Sequence, residues 1–565
     1  FDTGLPRAAR MRLLLRRGAA EEEEEGEVID EVAWVTEDEA TLGYSVGRPS
    51  GDGARTTATA MVPLLSASPG KTNAKALTFG PLGPHWPGEN PFLPGGGLRG
   101  TREAAFKSNL PLAIVRTEHA IPNDPKTESH LWISGCTEYA ASSRRRSGSV
   151  DEEEEREREK RSNVKNKANL ICTLGDRPAY NGPAGIELRG RSSQRYPKKQ
   201  YSFEFWDGAG DGIELSPLGL PAEEDFILGA PYVDRSLMRD ALAFQMYSDM
   251  GRWCPRMQFI ELFMMENEGG SLVSVGRHYK GIYVLKEKIK RGSDRVAITK
   301  MDPLNQTDVT GGYLLVLSSN SHDSMLNTGE PPKEKVLDEG PARVSYVYPK
   351  KPTAPQQSYI SAYFKDFQQA LWDDGFANPQ TGYAKYIDVD SWVDYFLHTE
   401  MTKNLDGYIS SVYLHKDRGG KLVAGPAWDY NLAFGQATYW NGYYIEPWDF
   451  TYIGPNQKSY SQMVHWYYRL LQDPMFTRKV ALRYRELRRS VWSDGQVIGY
   501  INKYKSLLGQ SQGRNFQSWP INQVSTNHKY IPIKHWGNSW EENVQGLQTW
   551  LLQRLNWMDE WVPRL

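Results

Sequence analysis

Between residues 390 and 401 the apolar side chains fall at Val393, Phe396, Leu397 and Met401, a spacing that predicts a helix with one buried stripe. Two short apolar runs follow, Val412-Tyr413-Leu414 and Leu422-Val423-Ala424. Asp417-Arg418-Gly419-Gly420 separates them, a turn sequence, so the two runs predict a β-hairpin. Asn404-Leu405-Asp406 then lies on the loop after the helix. Gly425-Pro426-Ala427-Trp428-Asp429-Tyr430-Asn431 lies on the loop after the hairpin. Because a hairpin folds back on itself, Asp406 and Asp429 can converge although a whole hairpin separates them.

The remaining pattern predicts an α+β chain. Residues 110–115 read as a buried strand that opens a domain, and residues 170–300 are β-rich, with clear strands at 259–263 and 281–285 and one helix at 236–250. From Ile360 onward helices dominate. In the last of them Ser539 and Glu542 form a capping box ahead of the stripe Val544, Leu547, Leu551, Leu555 and Met558. Earlier, residues 32–65 alternate in strand fashion and predict a small, fibronectin-like β module, and the Pro/Gly-rich residues 84–100 read as a linker. The expected organisation is a β-rich segment over 1–105 and a two-lobed domain over 106–565. Its first lobe covers about 106–300 and its helical second lobe about 301–565. Residues 142–167 carry Arg144-Arg145-Arg146-Ser147 and five consecutive acidic residues from Asp151, with almost nothing apolar, and predict an exposed, disordered insertion.

Composition narrows the classes. A chain of 565 residues exceeds what one core serves. A net charge of −2 gives no global field for nucleic acid, and no apolar run is long enough to span a membrane. Phe1 is not an initiator Met, so the natural N-terminus is expected to lie upstream and the lack of a signal peptide is uninformative. Cys136, Cys172 and Cys254 show no zinc spacing; one disulfide at most could form, and three buried thiols are expected. Asn305-Gln306-Thr307 is a glycosylation sequon and a weak pointer to the secretory route.

The order helix, Asp loop, hairpin, Asp loop is how a protein kinase places its catalytic and metal-binding carboxylates, so Asp406 and Asp429 are the expected catalytic pair. Asp429, with Asn431 two positions on, suits Mg²⁺, which takes one or two carboxylates plus phosphate oxygens. Kinases place a metal-binding Asn five residues after the catalytic Asp; here that place is Ser411, with Asn404 as the alternative amide. Arg189-Gly190-Arg191-Ser192-Ser193, followed by Lys198 and Lys199, offers backbone N–H groups, hydroxyls and cations to phosphate without being a Walker A loop. Strand alternation lets only one of Lys198 and Lys199 face the site. Glu287 is either the acidic partner of a phosphate-binding Lys or a solvated surface charge. Trp428 either stacks on a base or packs in the core. Asp234 and Arg239 read as helix anchors.

Beyond these separate features, Ile186 to Gln194, Tyr196 to Phe203, Tyr232 to Asp240, Gly281 to Ile289 and Gly425 to Asp429 occur in the order in which they occur in the CotH family of atypical kinases. The chain resembles that family from about Ser108 to its C-terminus. The resemblance implies a protein kinase that uses ATP and Mg²⁺ or Mn²⁺. It also implies a protein substrate with Ser/Thr acceptors at a secreted or surface location, and nucleotide phosphate contact over residues 189–199. Relatives often carry Asp where this chain has Asn431, and Asn or Ser where it has Ser411. A binding, adhesion or coat-structural protein on the same fold is the alternative. A carbohydrate-active reading needs paired carboxylates across a sugar groove, for which there is no sequence signature.

Overall fold

In the computed structural model residues 106–138, 170–268, 272–302, 308–317, 344–453, 462–522 and 537–565 are described, a few isolated positions excepted, together with short strands before residue 79 and at Met325–Leu326. The insertion at 142–167, the linker at 84–100 and the sequon lie outside the described residues. Near the N-terminus Arg10–Leu15, Ile29–Trp34, Gly43–Pro49 and Arg55–Thr59 pair antiparallel in chain order.

Seven strands close into a barrel. They are β1 (Leu112–Thr117), β2 (Thr127–Ser134), β3 (Pro178–Arg189), β4 (Gln200–Phe205), β5 (Asp225–Gly229), β6 (Met257–Glu266) and β7 (Tyr279–Glu287), with helix α1 (Arg239–Asp249) between β5 and β6. The order is β3-β4-β5-β7-β6-β1-β2; β1 and β6 run parallel and the other neighbours in the barrel antiparallel. Alternation sorts the side chains. Ala184 and Ile186 of β3, Tyr201, Phe203 and Phe205 of β4, and Tyr283 and Leu285 of β7 fill the barrel. Ile282 and Val284 of β7 face the other way, into a second cluster.

That second cluster takes in α1 and most of the described C-terminal half. There β8 (Tyr313–Leu317), β9 (Val344–Tyr348), β10 (Val412–Lys416) and β11 (Leu422–Ala424) join Met325–Leu326 in a five-stranded sheet. Around it stand α2 (Ala354–Trp372), α3 (Val389–Thr402), α4 (Pro474–Arg488), α5 (Asp494–Leu508), α6 (Ser511–Ser518) and α7 (Trp540–Trp561). The chain is α+β, as its periodicity predicts, and the hairpin β10–β11 and helix α3 fall where expected. The β-rich half differs from expectation in being a closed barrel, and its outer wall shares one apolar core with the helices.

Polar contacts inside that core fix the helices. Arg514 on α6 forks onto Glu261 of β6 at 2.7 and 2.9 Å, and Arg554 on α7 reaches the Glu400 carboxylate of α3 at 3.2 Å. Glu400 also accepts from Tyr408 and from the backbone N–H groups of Asp449 and Phe450. At α7 the Ser539 hydroxyl accepts from the Glu542 N–H as predicted, while the Glu542 carboxylate turns back to the N–H of Asn538. The expectation of three thiols is corrected: Cys136 and Cys172 form a disulfide, because β-pairing around Leu170–Thr173 brings them together, and Cys254 remains a buried thiol.

Glu400 and Arg554 are both fully shielded from solvent, so removing one charge strands the other. Arg554→Met is expected to lower unfolding free energy by about 3–5 kcal/mol in denaturant melts. A change below ~1 kcal/mol would show that the pair does not organise the core.

Candidate functional site

Helix α3 is started by Asp388, whose side chain accepts from the Ser391 N–H, and is stopped by Lys403 at φ 47°. The chain then tightens into the turn Leu405–Tyr408, which holds Asp406. The buried Lys403 ammonium donates to the carbonyls of Asn441, Tyr444 and Glu446 at 2.9–3.0 Å, pinning a later loop against this turn. Tyr439 on that loop donates to Asp406 Oδ1 at 3.2 Å.

The Asp429 loop is fastened from two helices. The Tyr430 N–H donates to Asp240 Oδ1 of α1 at 2.8 Å, and the Tyr430 hydroxyl meets His398 Nδ1 of α3 at 3.1 Å. His398 Nε2 lies 2.9 Å from the Ala243 carbonyl, so Nε2 carries the proton and Nδ1 accepts. Gly425, at φ +108°, passes so close to α1 that a Cβ there would stand 2.5 Å from the Tyr247 hydroxyl. Asp429 itself has φ 66°, a left-handed conformation that non-glycine residues adopt only when their surroundings impose it.

Two cations complete the cluster. Lys286 of β7 sits 3.1 Å from Asp240 Oδ2 and 4.5 Å from the centre of the Trp428 ring, over its face. The Arg189 guanidinium, at the end of β3, lies 5.6 Å from the same ring. Burial, with Asp240 and Asp406 as like-charged neighbours, pushes Asp429 up to about 6, against the pull of Lys286 and Arg189. Burial likewise raises Asp406, opposed by the Tyr439 hydrogen bond. Arg189 is lowered, chiefly by burial. Three carboxylates against two cations leave a negative surplus, the balance that a divalent cation removes.

Arg189, Trp428, Asp406 and Asp429 thus come together. Asn404 joins them, its amide 3.5 Å from the Asp429 carbonyl. Asn431 follows Asp429 on the loop, half-buried. Ser411, five residues past Asp406, has φ 60°. Arg191, Ser192 and Ser193 form the turn after Arg189. There Gly190, at φ +89°, lets Ser193 approach so closely that a Cβ would lie 2.0 Å from its hydroxyl. Lys199 braces the same turn through the Gln194 carbonyl at 2.6 Å.

Two expectations are corrected. Lys198 is buried and donates to the Ile282 carbonyl and to Asn515 Oδ1, both at 2.7 Å, locking α6 to the barrel. Glu287 is neither a surface charge nor the partner of a phosphate-binding lysine. It is fully buried, accepts two bonds from Arg256 at 2.7 and 3.0 Å, and is paired with Arg295. Parity is the cause: Glu287 shares the barrel-facing side of β7 with Leu285, whereas Lys286 shares the outer side with Val284. Sequence reasoning missed Lys286, Asp240 and Tyr439. The alternation rule applied to Lys198 and Lys199 would have singled out Lys286 beside Glu287. Nothing local marks Asp240 or Tyr439. A separate acidic group, Glu204, Glu224 and Asp225, is already engaged by Lys126 and Lys290.

Burial holds the His398 imidazole neutral, moving its pKa from 6.5 down to about 3. For this group stability is flat above the unfolded-state value, because neither state then binds the proton. It falls as pH drops from about 6.5 toward 3, by up to ~1.4 kcal/mol per pH unit, as the unfolded chain alone gains the proton. His398→Gln is expected to flatten that acid limb in urea melts between pH 6.5 and 4. An unchanged slope would show that His398 is not held neutral.

A family model described as CotH kinase protein matches residues 186–558, a stretch that includes every cluster residue named above. The inner spore coat protein H of Bacillus subtilis (strain 168) is 21% identical over 251 residues, or 44% of this chain. The match covers 59% of that protein's length.

Proposed function

Because the chain belongs to the CotH kinase protein family, we propose that it is an ATP-dependent protein kinase. It transfers the γ-phosphoryl group to a Ser or Thr hydroxyl of a secreted or surface protein. The observation that carries this reading is the convergence of Asp406, the Lys286–Asp240 pair and Arg189 on Asp429, with both cations at the Trp428 ring. The barrel with its turn at 189–195 acts as the nucleotide-covering lobe and the helical half as the acceptor lobe.

Phosphoryl transfer asks the protein for position and charge more than for covalent chemistry. Lys286, oriented by Asp240, and Arg189 bind the phosphates; the N–H groups and hydroxyls of Arg191, Ser192 and Ser193 close over them. Trp428, packed against Phe244 and Tyr413, holds both cations at its ring. Asp406 accepts the hydrogen bond of the attacking hydroxyl and takes its proton as the oxygen–phosphorus bond forms and ADP leaves. Asp429, with Asn431 and Asn404 or Ser411, would hold Mg²⁺ or Mn²⁺, which when bound neutralises phosphate charge. The negative surplus at Asp429 fits such an ion, and Asn431 in place of a second carboxylate makes the site less charged than in many relatives.

A secretory or surface location is supported by the Cys136–Cys172 disulfide, which persists best in an oxidising compartment, and by the coat protein among the relatives. The same relative's name supports a structural coat role as the second reading. Enzymatic turnover separates the two.

Asp406→Asn and Asp429→Asn test the reading by dividing binding from chemistry. Asp406→Asn is expected to keep most affinity for ATP with Mg²⁺ while phosphotransfer falls by at least about 10²-fold. Asp429→Asn is expected to lose both. Equal loss of nucleotide affinity in the two variants would make both carboxylates metal ligands. Unchanged transfer in both would leave the structural reading.

A further inference from the structure

Beside Asp406 the chain supplies a hydroxyl of its own. Tyr439 Oη donates to Asp406 Oδ1 at 3.2 Å, the one hydrogen bond to that carboxylate among the described residues. The loop that carries it is fastened at several points. Lys403 holds the carbonyls of Asn441, Tyr444 and Glu446, Trp550 donates to the Tyr443 carbonyl at 3.0 Å, and Arg554 donates to the Pro447 carbonyl at 3.1 Å. Trp440 and Asn441 take φ of 46° and 58°, backbone conformations that such anchors must impose. The Tyr439 ring rests edge-on against Trp440, with centroids 5.3 Å apart. With Arg554 also donating to the Ile445 carbonyl, six donor contacts from the end of α3 and from α7 hold the loop that places this phenol at Asp406.

A hydroxyl donating to Asp406 is also what a phosphate acceptor must present. We infer that residues 439–446 form the acceptor subsite and that Tyr439 is its gate: with no acceptor bound, its hydroxyl fills the place on Asp406 that a Ser or Thr hydroxyl takes over. The inference rests on the kinase reading and adds the acceptor's place to it. The gate has a chemical purpose. A water in that place would attack the γ-phosphorus: the water oxygen–phosphorus bond forms, the bond to the ADP oxygen breaks, and the water proton passes to Asp406 before leaving with the phosphate. Tyr439 excludes that water until a substrate hydroxyl displaces it, as lids in other transferases do by closing.

The test needs ATP and Mg²⁺ and no acceptor. Tyr439→Phe keeps the ring and its packing and removes the hydroxyl, so the rate of phosphate release is expected to rise on the order of tenfold, the scale of a lost hydrogen bond to a charged group. Adding Asp406→Asn to that variant is expected to abolish the gain. A folded Tyr439→Phe protein, with wild-type melting temperature, that releases phosphate no faster than wild type would overturn the gate. If wild type shows no metal-dependent affinity for ATP by calorimetry, the kinase reading falls and the gate with it. If wild type binds ATP and Tyr439→Phe gains nothing, only the gate falls.

Discussion

One carboxylate ties the three parts of the site together. Asp240 stands in the first turn of α1 and accepts from the Tyr430 N–H with one oxygen and from Lys286 with the other. The first contact sets the backbone of the Asp429 loop; the second brings in the barrel wall. Without Asp240 the Lys286 ammonium would lose its orienting partner and the loop would lose its anchor on α1. The glycine at 425 and the cluster of Tyr247, His398 and Tyr430 behind it exist in the same geometry, because the loop must lie flat on α1 for Asp240 to reach both partners.

The shared apolar core gives this arrangement its stiffness. Ile282 and Val284 pack outward from the barrel against the same cluster as Phe244, Phe396 and Tyr430. Lys286 continues that outward row by one more step, so its position is fixed by the packing of its neighbours on the strand. Buried polar locks, Lys198 to Asn515 and Glu261 to Arg514, hold α6 on the barrel without taking any part in the charged cluster. Strong interactions thus divide into those that assemble the fold and those left with a charge surplus. The surplus collects at Asp406 and Asp429, where burial raises both carboxylates and like-charged neighbours raise Asp429 further.

Much of this was legible in the chain because local patterns decide it. The 3.6-residue stripe before Asn404 and the Gly-Gly turn of the hairpin place both aspartates without tertiary information. The misreadings have a common physical source. Lys198 and Glu287, like the overlooked Asp240, are charged residues whose roles depend on which side of the backbone meets which neighbour, and composition says nothing of that. The basic turn leaves Lys198 and Lys199 as alternative phosphate ligands, and Lys198, just ahead of β4, turns into the interior onto Ile282 and Asn515. Glu287 read equally as half of a catalytic pair or a surface charge, and Arg256 and Arg295 claim it instead. The closed barrel was invisible for a related reason: closure is a matter of long-range pairing between β2 and β3 and between β1 and β6, which alternation within each strand leaves open.

The central claim is that Lys286, and not Lys198, faces the nucleotide. Calorimetric titration of ATP with Mg²⁺ into Lys286→Met and Lys198→Met proteins, alongside their thermal melts, tests it most directly. Lys286→Met should lose ATP affinity by about tenfold or more, the scale of a charge-assisted phosphate contact, at a melting temperature near that of wild type. Lys198→Met should melt earlier and bind ATP as wild type does. Full ATP affinity in Lys286→Met with loss in Lys198→Met would contradict the arrangement.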